Sequence, residues 1–345
     1  LARTLSEAGT VLLKNGGILP LDMTKIKSIA VIGDDGNANP IATGGGSGKV
    51  RLPYLVTPLT GITKRAGSAA TVTYASSSSI TSAVNMAKAA DVAIVFGATT
   101  SHEGADRSSL DLDGNTNDLI AAVAAAQENT VVVLHNPGAV VMPWVDKVSS
   151  IVTAFMPGQE DGNAIASILF GDVNPSGKLP LTFTTSEKLI PTNTTKQYPG
   201  INDQGAYSEK LLVGYRWYDA NKIDPLFPFG HGLSYTTFKY DNLVVNKYQV
   251  SCQITNSGDV AGSEVVQLYL AFPSSAGEPP LQLKGFEKVS LAKGASTTVT
   301  FTLSNPDFSI WDSSIHGWKV VTGSFFAHIG SSSRDIRLAG AITVA

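Results

Sequence analysis

Residues 91–96 read Asp91-Val92-Ala93-Ile94-Val95-Phe96 (DVAIVF), and after the aspartate no polar residue interrupts the run. A strand with one wet face alternates apolar and polar residues; a strand that does not alternate is covered on both faces. Working outward, the same pattern recurs at Ile26–Ile32 (IKSIAVI), Val131–Leu134 (VVVL) and Ile151–Phe155 (IVTAF). Helix candidates lie between these runs. Ile80–Ala90 opens with Ser and Thr and has an alanine-rich core, Asp118–Gln127 (DLIAAVAAAQ) has an acidic first turn, and Glu160–Phe170 is a third. Buried strands alternating with helices predict a mainly parallel sheet with helices on both sides. Residues 1–180 are therefore expected to form a three-layer α/β sandwich. Leu5, Ala8, Val11 and Leu12 recur at helical spacing, which predicts an amphipathic helix at the start.

This rhythm stops after residue 180. Residues 181–245 hold Pro191, Pro199, Pro225 and Pro228 among many aromatics, including Tyr207, Tyr215, Trp217, Tyr218, Phe227, Phe229 and Tyr235. A flexible linker lacks such aromatics, so this stretch is expected to be an irregular, packed connector. From residue 246 the period becomes two. Val250–Thr255, Glu264–Leu270, Thr297–Leu303 and Gly323–Ile329 alternate, with turn residues such as Asn256-Ser257-Gly258 and Lys293-Gly294 between them. Short alternating strands with turn signals predict an antiparallel β-sandwich of the immunoglobulin or fibronectin type over 246–345.

Composition narrows the function. Across 345 residues, 43% are hydrophobic and only 15% charged, the net charge is −3, and there are 33 glycines. That fits a folded, secreted protein and gives no electrostatic footprint for nucleic acid or an anionic membrane. No apolar run reaches the roughly 18 residues of a membrane-spanning helix. The single cysteine, Cys252, sits in an alternating run and reads as a small buried hydrophobe. Asn193-Thr194-Thr195 is a glycosylation sequon, with Asn193 the acceptor. The chain starts at Leu1, inside a helical pattern and with no initiator Met or signal peptide, so a fragment of a longer polypeptide is expected.

Chemistry concentrates after the DVAIVF strand. Ser101-His102-Glu103-Gly104 is followed by Asp106-Arg107-Ser108-Ser109-Leu110. Ligands of open α/β sheets gather beyond the carboxyl ends of strands, and a glutamate there is a candidate acid or base. On position alone, a solvated loop carboxylate beside a local Asp106–Arg107 pair is the plainer reading. The segment also resembles the part of glycoside hydrolase family 3 in which an SGEG-type turn supplies the acid/base and a DR-containing stretch follows. Further segments resemble that family in the same order. They include Ser6–Asn15, Ala30–Gly33, the glycine-rich Gly45–Gly48, Pro157–Glu160, Gly171–Pro180 (GDVNPSGKLP), Phe227–Phe238 (FPFGHGLSYTTF) and Leu283–Phe286.

The resemblance covers essentially the whole chain. It implies the C-terminal portion of an exo-acting, retaining β-glucosidase type of enzyme, in which one carboxylate attacks the sugar and another acts as acid and then base. Glu103 corresponds to the acid/base; Asp106, Arg107 and Ser47 are candidates for substrate contact. The family's nucleophile is an Asp in an SDW-type motif on a preceding (β/α)8 barrel, and no SDW occurs here. The chain alone is therefore expected to be inactive and to need the barrel as a separate, tightly associated chain. The implied substrate is a β-glucoside or oligosaccharide, with no metal and no organic cofactor. A β-xylosidase or other exo-glycosidase of the same family, and a non-catalytic carbohydrate-binding or interaction protein, are the alternatives. His102 stands where many relatives have Gly; it reads first as a loop residue, and second as a neighbour able to raise or lower the acidity of Glu103.

Other features read more plainly. Gly44–Lys49 (GGGSGK) invites a phosphate-loop reading, but Thr43 replaces the leading Gly and Val50 follows the Lys, so a loop near the mouth of the site fits better. Gly33-Asp34-Asp35-Gly36-Asn37 fits a turn better than a cation site. His135, His231, His316 and His328 lack metal-ligand spacing, and no G-x-S-x-G elbow is present. Tyr215, Trp217 and Tyr218 suit either sugar stacking or a hydrophobic seam. The sandwich shows no obvious row of exposed aromatics and is expected to be structural.

Overall fold

In a computed structural model describing residues 1–345, the first part of the chain runs α1 (Ala2–Gly9), β1 (Val11–Asn15), β2 (Ser28–Ile32), α2 (Pro58–Ala66), β3 (Thr71–Ala75), α3 (Ile80–Lys88), β4 (Val92–Ala98), α4 (Thr116–Ala126), β5 (Thr130–His135), β6 (Ser150–Thr153) and α5 (Asp161–Leu169). The strands form one sheet in the order β1-β6-β5-β4-β2-β3, parallel except for β1, which pairs antiparallel with β6. Every residue of β4, β5 and β6 is buried, as strands without alternation require. Local chemistry sets the helix starts. Thr57 caps α2 by accepting the Thr60 amide, with Pro58 in the first turn, and Ser79 caps α3 by accepting the Ser82 amide. Helices α2 and α5 meet at two glycines, where a Cβ on Gly162 would strike the backbone of Thr57.

The opening segment differs from its periodicity. Helix α1 ends at Gly9, and Thr10 turns to an extended conformation with φ −69° and ψ 132°. Val11, Leu12 and Leu13 are then buried in strand β1, while Leu5 on the helix is 63% exposed. Three consecutive apolar residues suit an edge position covered on both faces, and pairing with β6 overrides the helical spacing. Strand β3, with its alternating and partly exposed pattern, was not among the continuous runs.

Residues 1–177 with 232–235 form one compact unit, and 178–231 with 236–345 form the second. In the second, α6 (Tyr215–Ala220) lies in an otherwise irregular stretch. It precedes β7 (Phe238–Asn246), β8 (Gln249–Asn256), β9 (Gly262–Ala271), β10 (Gln282–Leu291), β11 (Ser296–Thr302), β12 (Ser309–Asp312), β13 (Gly317–Val320), β14 (Gly323–Gly330) and β15 (Ile336–Val344). These strands make antiparallel sheets ordered β10-β9-β14-β15 and β11-β8-β7, with β12 and β13 as a separate hairpin. The alternating inward residues, among them Val250, Cys252, Ile254, Phe325, Ala327 and Ile329, form the sandwich core. Burial pushes the Cys252 thiol up to about 11, so it stays an inert hydrophobe.

Tyr215 and Tyr218 are buried in this unit, which decides between sugar stacking and a seam in favour of packing. Tyr215 stacks on Phe229 at 4.7 Å, and its hydroxyl accepts the Leu283 amide at 2.8 Å. Trp311 and Trp318 face each other across the β12–β13 hairpin at 5.7 Å and are 55% and 70% exposed, an isolated aromatic pair outside the two main sheets. No helix is long and apolar enough to cross a membrane.

Candidate active site

The order of the parallel strands reverses between β2 and β4: from β2 the chain moves outward to β3, and from β4 it moves the other way to β5 and β6. At such a switch point the loops leaving the carboxyl ends of the two strands diverge and open a crevice. The loop from β2 carries the glycine-rich segment, and the loop from β4 carries Glu103.

Glu103 sits in a tight turn closed by a bridge between His102 and Ala105, with Gly104 at φ 86°. Its side chain is exposed. The Ser47 amide donates to Glu103 Oε2 at 2.9 Å, and the Ser47 hydroxyl makes a short hydrogen bond to the same oxygen. The two loops are also tied through their backbones, the Gly45 amide donating to the Ser101 carbonyl at 3.1 Å. Gly46, at φ 74°, must be glycine on two counts: its backbone is left-handed, and a Cβ would collide with that of Glu103. His102 turns its Nδ1 toward the Glu103 carbonyl oxygen at 2.8 Å, so its ring engages the main chain of the turn.

The Ser47 hydroxyl, and then the Ser47 amide, hold the Glu103 carboxyl below the usual glutamate range. An acid that must donate a proton near neutral pH needs the opposite shift, so in the open crevice Glu103 is poised as a base. Replacing Ser47 with Ala removes the larger of these donors. The Glu103 carboxyl is expected to titrate at higher pH in S47A, measured by carbon NMR of the side chain; an unchanged titration would show that Ser47 does not hold it.

Asp106 and Arg107 line an adjoining polar recess of about 450 Å³, with Thr99, Ser101, Asp111 and Asp113 around it. Arg107 Nη2 donates to the Ala139 carbonyl at 2.9 Å, tying this loop to the one after β5. Asp113 anchors the recess by accepting Thr99 Oγ1 at 2.9 Å and the Thr100 amide at 2.8 Å. The structure thus gathers Ser47 and Glu103 directly, with Asp106 and Arg107 in the recess beside them. Asn193 belongs to the second unit and is exposed, its side-chain amide donating to the Lys188 carbonyl at 3.1 Å.

One constellation was not apparent in the sequence. His135, at the end of β5, is fully buried, with Nδ1 2.6 Å from Asp35 Oδ2 and Nε2 3.1 Å from Asp161 Oδ1. Burial alone would lower the imidazole; the Asp161 and Asp35 carboxylates outweigh it and hold the ring protonated well above its ordinary range. Asp35 reads as a turn residue and His135 as a lone histidine, and only the fold joins them. The one available signal was a histidine directly after the apolar run Val131–Leu134.

Residues 10–235 match the family model described as "Glycosyl hydrolase family 3 C-terminal domain", and residues 264–333 match a "Fibronectin type III-like domain". The chain is 41% identical to "Probable beta-glucosidase L" of Aspergillus terreus, over 100% of this chain and 53% of that protein. It is also 41% identical to "Thermostable beta-glucosidase B" of Acetivibrio thermocellus, over 100% of this chain and 48% of that protein. Among solved structures, DesR, a beta-glucosidase from Streptomyces venezuelae in complex with D-glucose, superposes with a TM-score of 0.94 at 32% identity, over 99% of this chain and 59% of that one. The chain thus spans about half the length of the curated relatives it matches. It belongs to glycoside hydrolase family 3, of which it carries the C-terminal α/β domain and the fibronectin type III-like domain.

Proposed function

We propose that this chain is the C-terminal part of a secreted, retaining β-glucosidase that removes terminal β-D-glucosyl residues, with Glu103 as its general acid/base. The observation that carries the reading is the placement of Glu103: an exposed carboxylate at the strand-order reversal between β2 and β4, steadied by Ser47 on the opposite loop. The names of the relatives and the glucose complex of DesR support the choice of sugar.

A retaining mechanism needs a second carboxylate about 5–5.5 Å from the first. In this reading it comes from a (β/α)8 barrel outside residues 1–345. As that carboxylate attacks the anomeric carbon, protonated Glu103 gives its proton to the glycosidic oxygen, and the aglycone leaves. Glu103, now a carboxylate, takes a proton from water, which opens the glycosyl–enzyme ester. The Ser47 bonds favour the carboxylate needed for this second half. Sugar and barrel closing over the crevice would strip water from Glu103 and raise its pKa for the first half. Asp106 and Arg107, in the recess beside Glu103, are the candidates for substrate contact in this reading. The exposed Asn193 sequon agrees with glycosylation of a secreted protein.

The test is reconstitution. The purified 345-residue chain should not hydrolyse an aryl β-glucoside, and supplying the family's barrel domain, fused or as a second chain, should restore turnover. Hydrolysis by the chain alone, or no activity after a stable complex forms, would overturn the reading.

A further inference from the structure

The buried cluster behind the crevice reaches the glycine-rich loop through one carboxylate. Asp35 turns Oδ2 to His135 and uses Oδ1 to accept the Ile41 amide at 2.8 Å. Its neighbour Asp34 instead faces Ser77, whose hydroxyl and amide donate to it. His135 ends β5, and Asp161 opens α5, so the cluster joins the turn after β2, the end of β5 and the start of α5. Beyond Ile41 the loop is pinned at Ala42, whose carbonyl accepts the Gly158 amide at 2.9 Å, and at Gly45, which donates to Ser101. Ser47 and its grip on Glu103 follow.

We propose that Asp35, braced by His135 and Asp161, is a positioning residue that sets where the glycine-rich loop presents Ser47 to Glu103. A buried ionic cluster is a costly way to fill a core, and apolar residues of similar volume would often do as well for stability. What an ionic cluster adds is direction. A carboxylate fixed by a buried cation has one free oxygen in a defined place, and here that oxygen receives the Ile41 amide, just before the glycine-rich stretch. The catalytic meaning rests on the reading of Glu103 as acid/base, whereas the positioning itself does not.

The test uses the 345-residue chain, amide hydrogen exchange and the titration of the Glu103 carboxyl. In the native chain the Ile41 amide should exchange at least about 100-fold more slowly than the open-loop amides of Gly46 and Gly48. D35A should abolish that protection and move the Glu103 titration upward, toward the ordinary glutamate value. D35N keeps an acceptor oxygen and should restore Ile41 protection in part. Loss of Ile41 protection in D35A with an unchanged Glu103 titration would overturn the proposal. If D35A does not fold, the native chain still decides, because an Ile41 amide exchanging as fast as Gly46 would overturn it equally. Failure of the acid/base reading looks different: E103Q would turn over normally in the enzyme while these exchange and titration results stood.

Discussion

In the enzyme reconstituted with its barrel, E103Q is expected to lower kcat about 10²–10⁴-fold, the usual contribution of a positioned acid or base. Glutamine keeps the size of the side chain and an acceptor oxygen for Ser47, so the crevice keeps its shape. It has no proton to give to the departing oxygen and no basic oxygen to take one from water, so both halves of the reaction suffer. Glu103 is exposed, and an exposed substitution seldom shifts stability by more than about 0.5 kcal/mol. The melting temperature of the chain should therefore stay within about a degree or two of native. Turnover within a factor of a few of the native enzyme would contradict the role given to Glu103.

The second large effect is on stability. Removing the His135 imidazole, as in H135Q, takes the cation from between two buried carboxylates, and breaking such a buried pair costs about 3–5 kcal/mol. The pH dependence has a definite sign. His135 binds its proton more tightly in the folded than in the unfolded chain. The folded state therefore carries more protons than the unfolded state over that range, and stability falls as pH rises. The contribution is complete below the unfolded histidine value of about 6.5 and is lost as pH climbs through the raised folded value. Above about pH 6.5, urea denaturation of native and H135Q chains should show this decline only in the native chain. Parallel curves for the two proteins would mean that His135 does not carry the buried charge.

The legibility of the sequence follows the range of the physics involved. DVAIVF announces itself because burial on both faces is written into consecutive residues, and β4, β5 and β6 are accordingly covered throughout. The sandwich strands that alternate cleanly, such as β8 and β14, are equally local signals. Strand β10 is not, because most of its residues are exposed or only half-buried, and β15 carries the small residues Ala339, Gly340 and Ala341 where an apolar face would be expected. The opening segment misleads because helical spacing is local, whereas the partner of Val11–Leu13, strand β6, lies far along the chain.

The candidate site divides in the same way. Glu103 is visible through its motif and its place after a strand. Its partner Ser47 sits 56 residues away and becomes a partner only because β2 and β4 are neighbours at the reversal of strand order. Asp35, His135 and Asp161 lie on separate elements, and none has a local reason to be charged and buried. Tertiary structure alone creates that reason.

Whether Glu103 delivers a proton to the departing oxygen is reported directly by leaving-group ability. In reconstituted enzyme, kcat/KM for native and E103Q proteins should be compared on an alkyl β-glucoside and on a dinitrophenyl β-glucoside, whose phenolate leaves without protonation. A loss of about 10²-fold or more is expected for the alkyl substrate, and a far smaller loss for the dinitrophenyl one. An equal loss on both substrates would contradict it, because Glu103 would then be contributing something other than the proton.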